Sequence, residues 1–293
     1  MKKLLIATTA LVASAGIASA DITMSGSAAA GFHTDLAGAP APGQGIYSNI
    51  GVVISMSTTT DSGVTFSTSM DAESGIEIDT GDFEYDGAAG NTFALGNVSA
   101  SGAFGTLTFD SDGIDNLYDD DRNGGDVSYS TTIGAMSVAA VLNTDDSTTG
   151  AGPTFSTDDM SVSASFTTGA MTISGAATSG DSAGTGSALA VSYAVSDSVT
   201  ISADTDNAPS AASVNTVGIA TSINGITVSA DASSDNSWDL DLGYNLSGVE
   251  LTYSTTDTNA WDASASMSLG GGATAHAGTN AAGSTYAGVS LSF

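Results

Sequence analysis

The chain has 293 residues, with 32 acidic side chains against 3 basic ones and a formal charge of −29 at pH 7. So few cations exclude nucleic acid as a partner, because phosphate binding needs basic groups, and exclude a polybasic membrane binder. A hydrophobic fraction of 41% argues against disorder over most of the chain, and the absence of Cys leaves stabilisation to backbone pairing and packing.

At the N-terminus Lys2 and Lys3 precede an apolar stretch from Leu4 to Ile17 and the small-residue site Ala18-Ser19-Ala20. This is the three-part layout of a secretory signal peptide. Residues 1–20 are therefore expected to be removed on export, and residues 21–293 to form one domain, since all-β barrels often run past about 200 residues without dividing. Loss of Lys2 and Lys3 leaves Arg122 as the one basic residue and takes the formal charge to about −31.

Beyond the signal no apolar run approaches the roughly 18 residues a transmembrane helix needs, so a membrane-spanning version of this chain must span with strands. From Ile22 the residues Ile22, Met24, Gly26, Ala28, Ala30 and Phe32 share one face and Thr23, Ser25 and Ser27 the other, a period of two. The alternation recurs in Ile50-Val52-Ile54-Met56, Val64-Phe66-Thr68-Met70, Met136-Val138-Ala140-Leu142 and Met160-Val162-Ala164-Phe166. It continues through Leu189-Val191-Tyr193-Val195, Ile226-Val228-Ala230, Trp238-Leu240-Leu242-Tyr244 and Trp261-Ala263-Ala265-Met267-Leu269.

Tight turns at Asp61-Ser62-Gly63, Asn224-Gly225 and Ser247-Gly248 alternate with longer polar segments near 34–46, 74–91, 111–125, 144–158, 179–186 and 206–213. Short turns on one rim and long loops on the other are the rhythm of an outer-membrane meander barrel. The pattern supplies about eighteen candidate strands, an even number that sets both termini on one side. Aromatic residues support the orientation: Phe32, Tyr47, Phe93, Trp238 and Trp261 fall at strand ends by the long loops, and Phe66, Tyr193, Tyr244 and Phe293 near the tight turns.

The C-terminal strand, Ser284 to Phe293, carries Ala287, Val289, Leu291 and Phe293 on one face and looks like the terminal signature of outer-membrane barrel proteins. The segments Thr58 to Phe66, Ser101 to Leu107 and Ile133 to Ala139 resemble hairpins of the general porins of alphaproteobacteria, the Rhodobacter type. The Asp-rich stretch after Phe109 occupies the place of that family's third, pore-constricting loop. The resemblance implies an all-β, transmembrane, antiparallel up-and-down barrel with a pore-constricting internal loop, usually of 16 strands, so that 16–18 is the expected range. It also implies a homotrimer in the outer membrane, in contact with its lipid and lipopolysaccharide, passing small ions and hydrophilic solutes. Family constrictions set a basic cluster against acidic loop groups, whereas this chain offers Arg122 alone. A segment such as Ala273 to Thr279 drops out of the barrel if the family's strand number holds.

With the apolar face toward lipid, alternation turns Asp71, Glu73, Asp110, Asp204, Asp231, Asp239, Asp241, Glu250 and Asp262 toward the lumen. Rings of Asp and Glu favour cations, so the expected activity is a passive, cation-favouring pore that requires no cofactor. Asp112, Asp115, Asp119, Asp120, Asp121 and Arg122 crowd into the expected constriction, residues 111–125. Within it Asp119, Asp121, Asn123 and Gly124 fit the opening of a calcium loop, but its closing carboxylate is missing because Ser130 stands there. The alternative is a set of solvated acids screened by Ca²⁺ or Mg²⁺. An enzyme is disfavoured because His33 and His276 sit beside no nucleophile motif, and His33 reads as a rim residue. The other rival is a secreted surface-layer or adhesin-like β protein, which needs no terminal Phe and, if a solenoid, should show a fixed repeat that is not seen here.

Overall fold

A computed structural model describes residues 20–39, 43–90, 93–119, 124–144, 160–179, 184–209 and 211–293. The alternating segments fold into strands that pair antiparallel in sequence order. The first are β1 (Asp21–Thr34), β2 (Gln44–Thr59), β3 (Thr65–Asp79), β4 (Glu84–Ala88), β5 (Phe93–Gly102), β6 (Gly105–Ile114), β7 (Gly125–Ile133) and β8 (Met136–Leu142). They are followed by β9 (Met160–Thr168), β10 (Met171–Ser179), β11 (Gly186–Ser196), β12 (Val199–Asn207), β13 (Val214–Ile223) and β14 (Ile226–Ser233). The last are β15 (Trp238–Leu246), β16 (Val249–Thr256), β17 (Trp261–Gly270), β18 (Ala273–Asn280) and β19 (Thr285–Ser292).

The sheet closes on itself. β1 pairs with β19 from Ser27↔Ser292 to Thr34↔Thr285, and Phe293 adds the last rung through Gly26 N–H to its carbonyl at 2.8 Å and its own N–H to the Gly26 carbonyl at 3.0 Å. Of the 19 strands, β4 and β5 both pair with β3, at its two ends, and so share one place in the wall of an 18-strand barrel. The barrel is thus wider than the usual family number. Ala273 to Thr279 is a full member of it, paired with β17 on one side and β19 on the other. The expected loop at 74–91 is shorter than the sequence suggests, because β3 runs on to Asp79 and β4 turns back against it.

Local chemistry explains the two rims. Asn224 and Gly225 have φ of 54° and 83°, the paired left-handed conformation of a two-residue hairpin turn whose twist matches that of its strands. The start of β1 and the end of β19 lie on this tight-turn rim, since Asp21 pairs with Ser57 beside the β2–β3 turn and Ser292 N–H donates to Gly272 in the β17–β18 turn. Among the described residues no helix is long and apolar enough to cross a membrane.

The two faces of the wall differ as the period of two requires. Ile22, Met24, Leu95, Val217, Leu246 and Leu291 are exposed on the outer face, where hydrocarbon can cover them. Phe32, Phe93, Trp238 and Trp261 are exposed at the long-loop end and Phe66, Tyr193, Tyr244 and Phe293 at the other, as an aromatic girdle requires. Tyr47 departs from that pattern. It is odd-numbered on a strand whose outer face carries Ile46 and Ile50, and it is buried inside. Its ring crosses Gly31 of β1 and Gly288 of β19 and sets Oη 2.8 Å from His276 Nε2 on β18. His33 is likewise buried on the inner face, its ring 5.7 Å from that of Tyr85, and is not an exposed rim residue.

A methyl on Gly288 would stand 2.0 Å from Tyr47 Oη and 2.5 Å from the Ala30 carbonyl oxygen. Gly288→Ala should therefore destabilise the barrel by about 1–3 kcal/mol, the usual range for overpacking, read as a lower midpoint of heat or denaturant unfolding in detergent. An unchanged midpoint would mean that the inner aromatic packing does not contribute to closure.

Candidate functional site

The stretch after β6 leaves the wall and runs across the interior. Phe109 still pairs with Val127, but the next rung joins Ile114 to Gly125, so residues 110–113 bulge out of register. Asp110 sits at this break, where its Oδ1 accepts the Ser111 N–H at 2.8 Å. From there the chain passes over β7 and β8 and docks on the inner faces of β9 to β12. Leu117 N–H donates to Ser161 Oγ at 2.9 Å, Asn116 Nδ2 to Thr178 Oγ1 at 3.0 Å and the Tyr118 hydroxyl to Asp206 Oδ1 at 2.6 Å. Gly186 is bare beneath the Tyr118 ring, where a methyl would lie 2.6 Å from the ring edge. Ser161 and Thr178 are buried by the loop.

This is the internal loop expected from the sequence, and its anchors are residues that alternation does not single out. Asn116 and Tyr118 read as ordinary loop residues in an Asp-rich segment. The signal that could reveal them is indirect: an inward-facing Gly at the start of β11 leaves room that something must fill. Asp115 and Asp119 are exposed on the loop. Asp120, Asp121, Arg122 and Asn123 lie outside the described residues, as does the side chain of Asp112. The calcium-loop pattern falls mostly on those positions. Among the described residues no group of three or more His, Cys, Asp or Glu is arranged to hold a metal ion.

The wall acids divide into two sets. Asp71 and Glu73 lie on β3, opposite Val53 and Gly51, with Asn49 Nδ2 donating to Glu77 Oε1 at 3.1 Å nearby. Glu77 is a further inner-face acid, in a stretch whose Asp and Gly content has the character of a loop. The larger set lies on consecutive strands. Asp204 pairs with Thr216, Asp231 directly with Asp239, and Asp241 with Ser229 and Ser254. Asp262 pairs with Ser254 and accepts a hydrogen bond from its hydroxyl. Asp204 lies two strands away from Asp231, and Asp241 two residues along β15 from Asp239. Asp241, Glu250 and Asp262 share with Thr200, Ser222 and Ser254 the lining of an inner recess of about 660 Å³. On the other side of the barrel a recess of about 450 Å³ is lined by hydroxyls, among them Thr106, Ser130, Thr132, Ser137, Ser163 and Ser165. The interior thus has an acidic arc from β12 to β17 and, across from it, a hydroxyl-lined recess on β6 to β9 with Asp110 of β6 and Asp126 of β7 nearby.

The long-loop rim carries charge too. In the turn between β14 and β15, Asp235 Oδ1 accepts the Ser237 Oγ–H at 2.7 Å and the Ser237 N–H at 3.0 Å. These bonds hold its carboxyl below the usual carboxylate range, so it stays ionised further into acid.

A closed antiparallel barrel with an apolar outside, a polar inside and a loop folded into its lumen defines a membrane channel. Comparison with known proteins agrees. Residues 7–214 match the family model described as Gram-negative porin, and the chain belongs to that family. Solved structures of the porin of Rhodopseudomonas blastica share the fold. A triple mutant of it matches at a TM-score of 0.56 and 14% identity over 93% of this chain and 100% of that one. Another variant matches at 0.57 and 13% over the same shares. No curated protein sequence matches. The protein is a porin of the outer membrane, a channel for passive diffusion.

Tyr118→Phe keeps the ring on Gly186 and removes the hydroxyl donor to Asp206. A hydrogen bond to a charged group contributes about 1.5–3 kcal/mol, so the loop should undock more often, seen as larger current fluctuations in single-channel recordings with little change in barrel melting. Identical noise in the variant and the parent would show that the Asp206 bond does not hold the loop.

Proposed function

We propose that this porin favours cations, that residues 1–20 are a signal peptide cleaved after Ala20, and that the mature chain works as a homotrimer. The observation that carries the selectivity is the direct pairing of Asp231 with Asp239 across neighbouring strands, within an arc that also holds Asp204, Asp241, Glu250 and Asp262. Like charges directly opposite on a sheet are destabilising, and Arg122 is the only basic residue after Lys3. Mobile cations are therefore the natural counterions of this wall. They accumulate there while anions are depleted, which biases a diffusive pore without any energy source.

The loop acids Asp112, Asp115, Asp119, Asp120 and Asp121, with Arg122, extend the same field toward the constriction, and Asp71, Glu73 and Asp110 continue it on the other strands. Ca²⁺ enters this reading as a counterion of the loop around Asp119, Asp121 and Asn123, with no cofactor needed for conduction. Family likeness supports the homotrimer, as does the smooth outer row formed where Ala265 pairs with Ala277 and Ala277 with Ala287, against which a second barrel can pack. Lipid and lipopolysaccharide cover the rest of the apolar outer face.

The test is the reversal potential across a planar bilayer with a tenfold KCl gradient. The parent should approach the ideal cation value and fall away from it as salt is raised. Replacing Asp231, Asp239 and Asp241 together by Asn should move the potential toward zero with the conductance retained. An anion preference in the parent would refute the role given to these acids.

A further inference from the structure

We propose that the β3–β4 hairpin, docked with the segment that follows β1, is a second fixed constriction inside the barrel, facing the third loop, so that solutes pass between the two along the acidic arc. The inference rests on the porin reading and adds to it an element that sets the size limit of the pore.

The hairpin is built to leave the wall. β5 covers β3 only as far as Ala72, and beyond it the partner of β3 is β4. The departure turns on Gly75, whose φ is +119° and where a methyl would stand 2.2 Å from the Ser48 carbonyl oxygen. No other residue fits there. Past this point the turn is tied by Asp79 Oδ1, which accepts the N–H groups of Gly81 at 2.6 Å and Asp82 at 3.2 Å. Phe83 follows at φ +58°, a conformation that costs a bulky residue energy unless its surroundings hold it.

Those surroundings are the inner wall of β1, β18 and β19. Phe83 is 3% exposed, with its ring centroid 5.2 Å from that of Tyr286, and Leu36 completes the cluster at 4%. Backbone bonds join the two segments: Ala37 N–H donates to the Phe83 carbonyl at 3.1 Å and Tyr85 N–H to the Ala37 carbonyl at 2.8 Å. Ser284 Oγ donates to the Asp35 carbonyl at 2.6 Å and fastens the assembly to the β18–β19 connection. Among the described residues the buried apolar side chains are Leu36, Tyr47, Phe83, Val141 and Tyr286. All but Val141 belong to this packing or lie directly beneath it, so a barrel that is otherwise polar inside concentrates its inner apolar burial here. Such burial marks a packed element and not a loop waving over the mouth.

Its position gives it a function. The third loop docks on β9 to β12, and the hairpin on β18, β19 and β1. Five strands, β13 to β17, separate the two docking sites on one side, and β2 to β8 on the other. The two inward elements therefore face each other across the lumen, and the wall left bare between them on the five-strand side is the one that carries Asp231, Asp239, Asp241, Glu250 and Asp262.

The experiment is single-channel conductance and sugar permeation of the double variant Leu36→Ser/Phe83→Ser, with folding checked by heat-modifiable migration in gels. Releasing the hairpin should raise conductance on the order of twofold and admit larger sugars, since flux follows the narrowest cross-section. Cation preference should persist because the arc is untouched. A folded double variant with parental conductance and cut-off overturns the proposal. The pair Ala37→Cys/Glu84→Cys, placed where these residues form a β-bridge in a chain without native Cys, supplies the second arm. Cross-linking it should leave conductance at the parental level, and a clear fall on oxidation would show that the hairpin normally moves away, which also overturns a fixed constriction. A parent that conducts nothing in the same bilayers would bring down the porin reading itself, a result that neither variant can imitate.

Discussion

In hydrocarbon every backbone N–H and C=O must find its partner within the protein, because no water is there to take its place. For a chain that crosses with strands, this means that the first and last strands have to meet. The β1–β19 ladder and the two bonds between Phe293 and Gly26 meet that demand. Without them both edges of the sheet would be open along their whole length, and neither the inner face nor the loops that dock on it would have a defined place.

Closure divides the side chains into two populations under different rules. The outer face needs only to be apolar and smooth, and chains of Ile, Leu, Val and Ala satisfy that without particular partners. The inner face is wet, so anything that is to stay put inside must be held by specific bonds and close fits. The third loop is held by hydroxyls and a carboxylate, Ser161, Thr178 and Asp206, with Tyr118 laid over Gly186. The opposite wall uses apolar contact instead, with Phe83, Leu36 and Tyr286 around the hairpin. In both places glycine on the wall makes the room that an aromatic ring then fills.

The acids follow a third rule. They lie where strand pairing puts them, in some cases directly against one another, and no basic residue of the described chain compensates them. A folded protein accepts such repulsion when solvent ions can neutralise it. The wall from β12 to β17 is therefore tied to its ionic surroundings. The hydroxyls across the lumen add polarity, and the carboxylates are fewer there than on the wall from β12 to β17.

Much of this was written in the chain. The period of two fixes which residues share a face, because successive strand side chains point to opposite sides, and so Asp231, Asp239 and Asp241 could be assigned inward before any pairing was known. Turn chemistry at Asn224-Gly225 and the rhythm of short and long connections located most strands, and Phe293 marked the end of the last one. Periodicity failed where the strand bends or the fit is non-local. Glu77 and β4 were hidden in a stretch rich in Asp and Gly that reads as loop, and Tyr47 and His33 looked like rim residues because their partners are 229 and 52 residues away in the chain. Strand number, the docking of Tyr118 on β11 and β12, and the meeting of Phe83 with Tyr286 were decided only by the closed barrel, because each depends on which distant strands become neighbours across a lumen that local sequence does not describe.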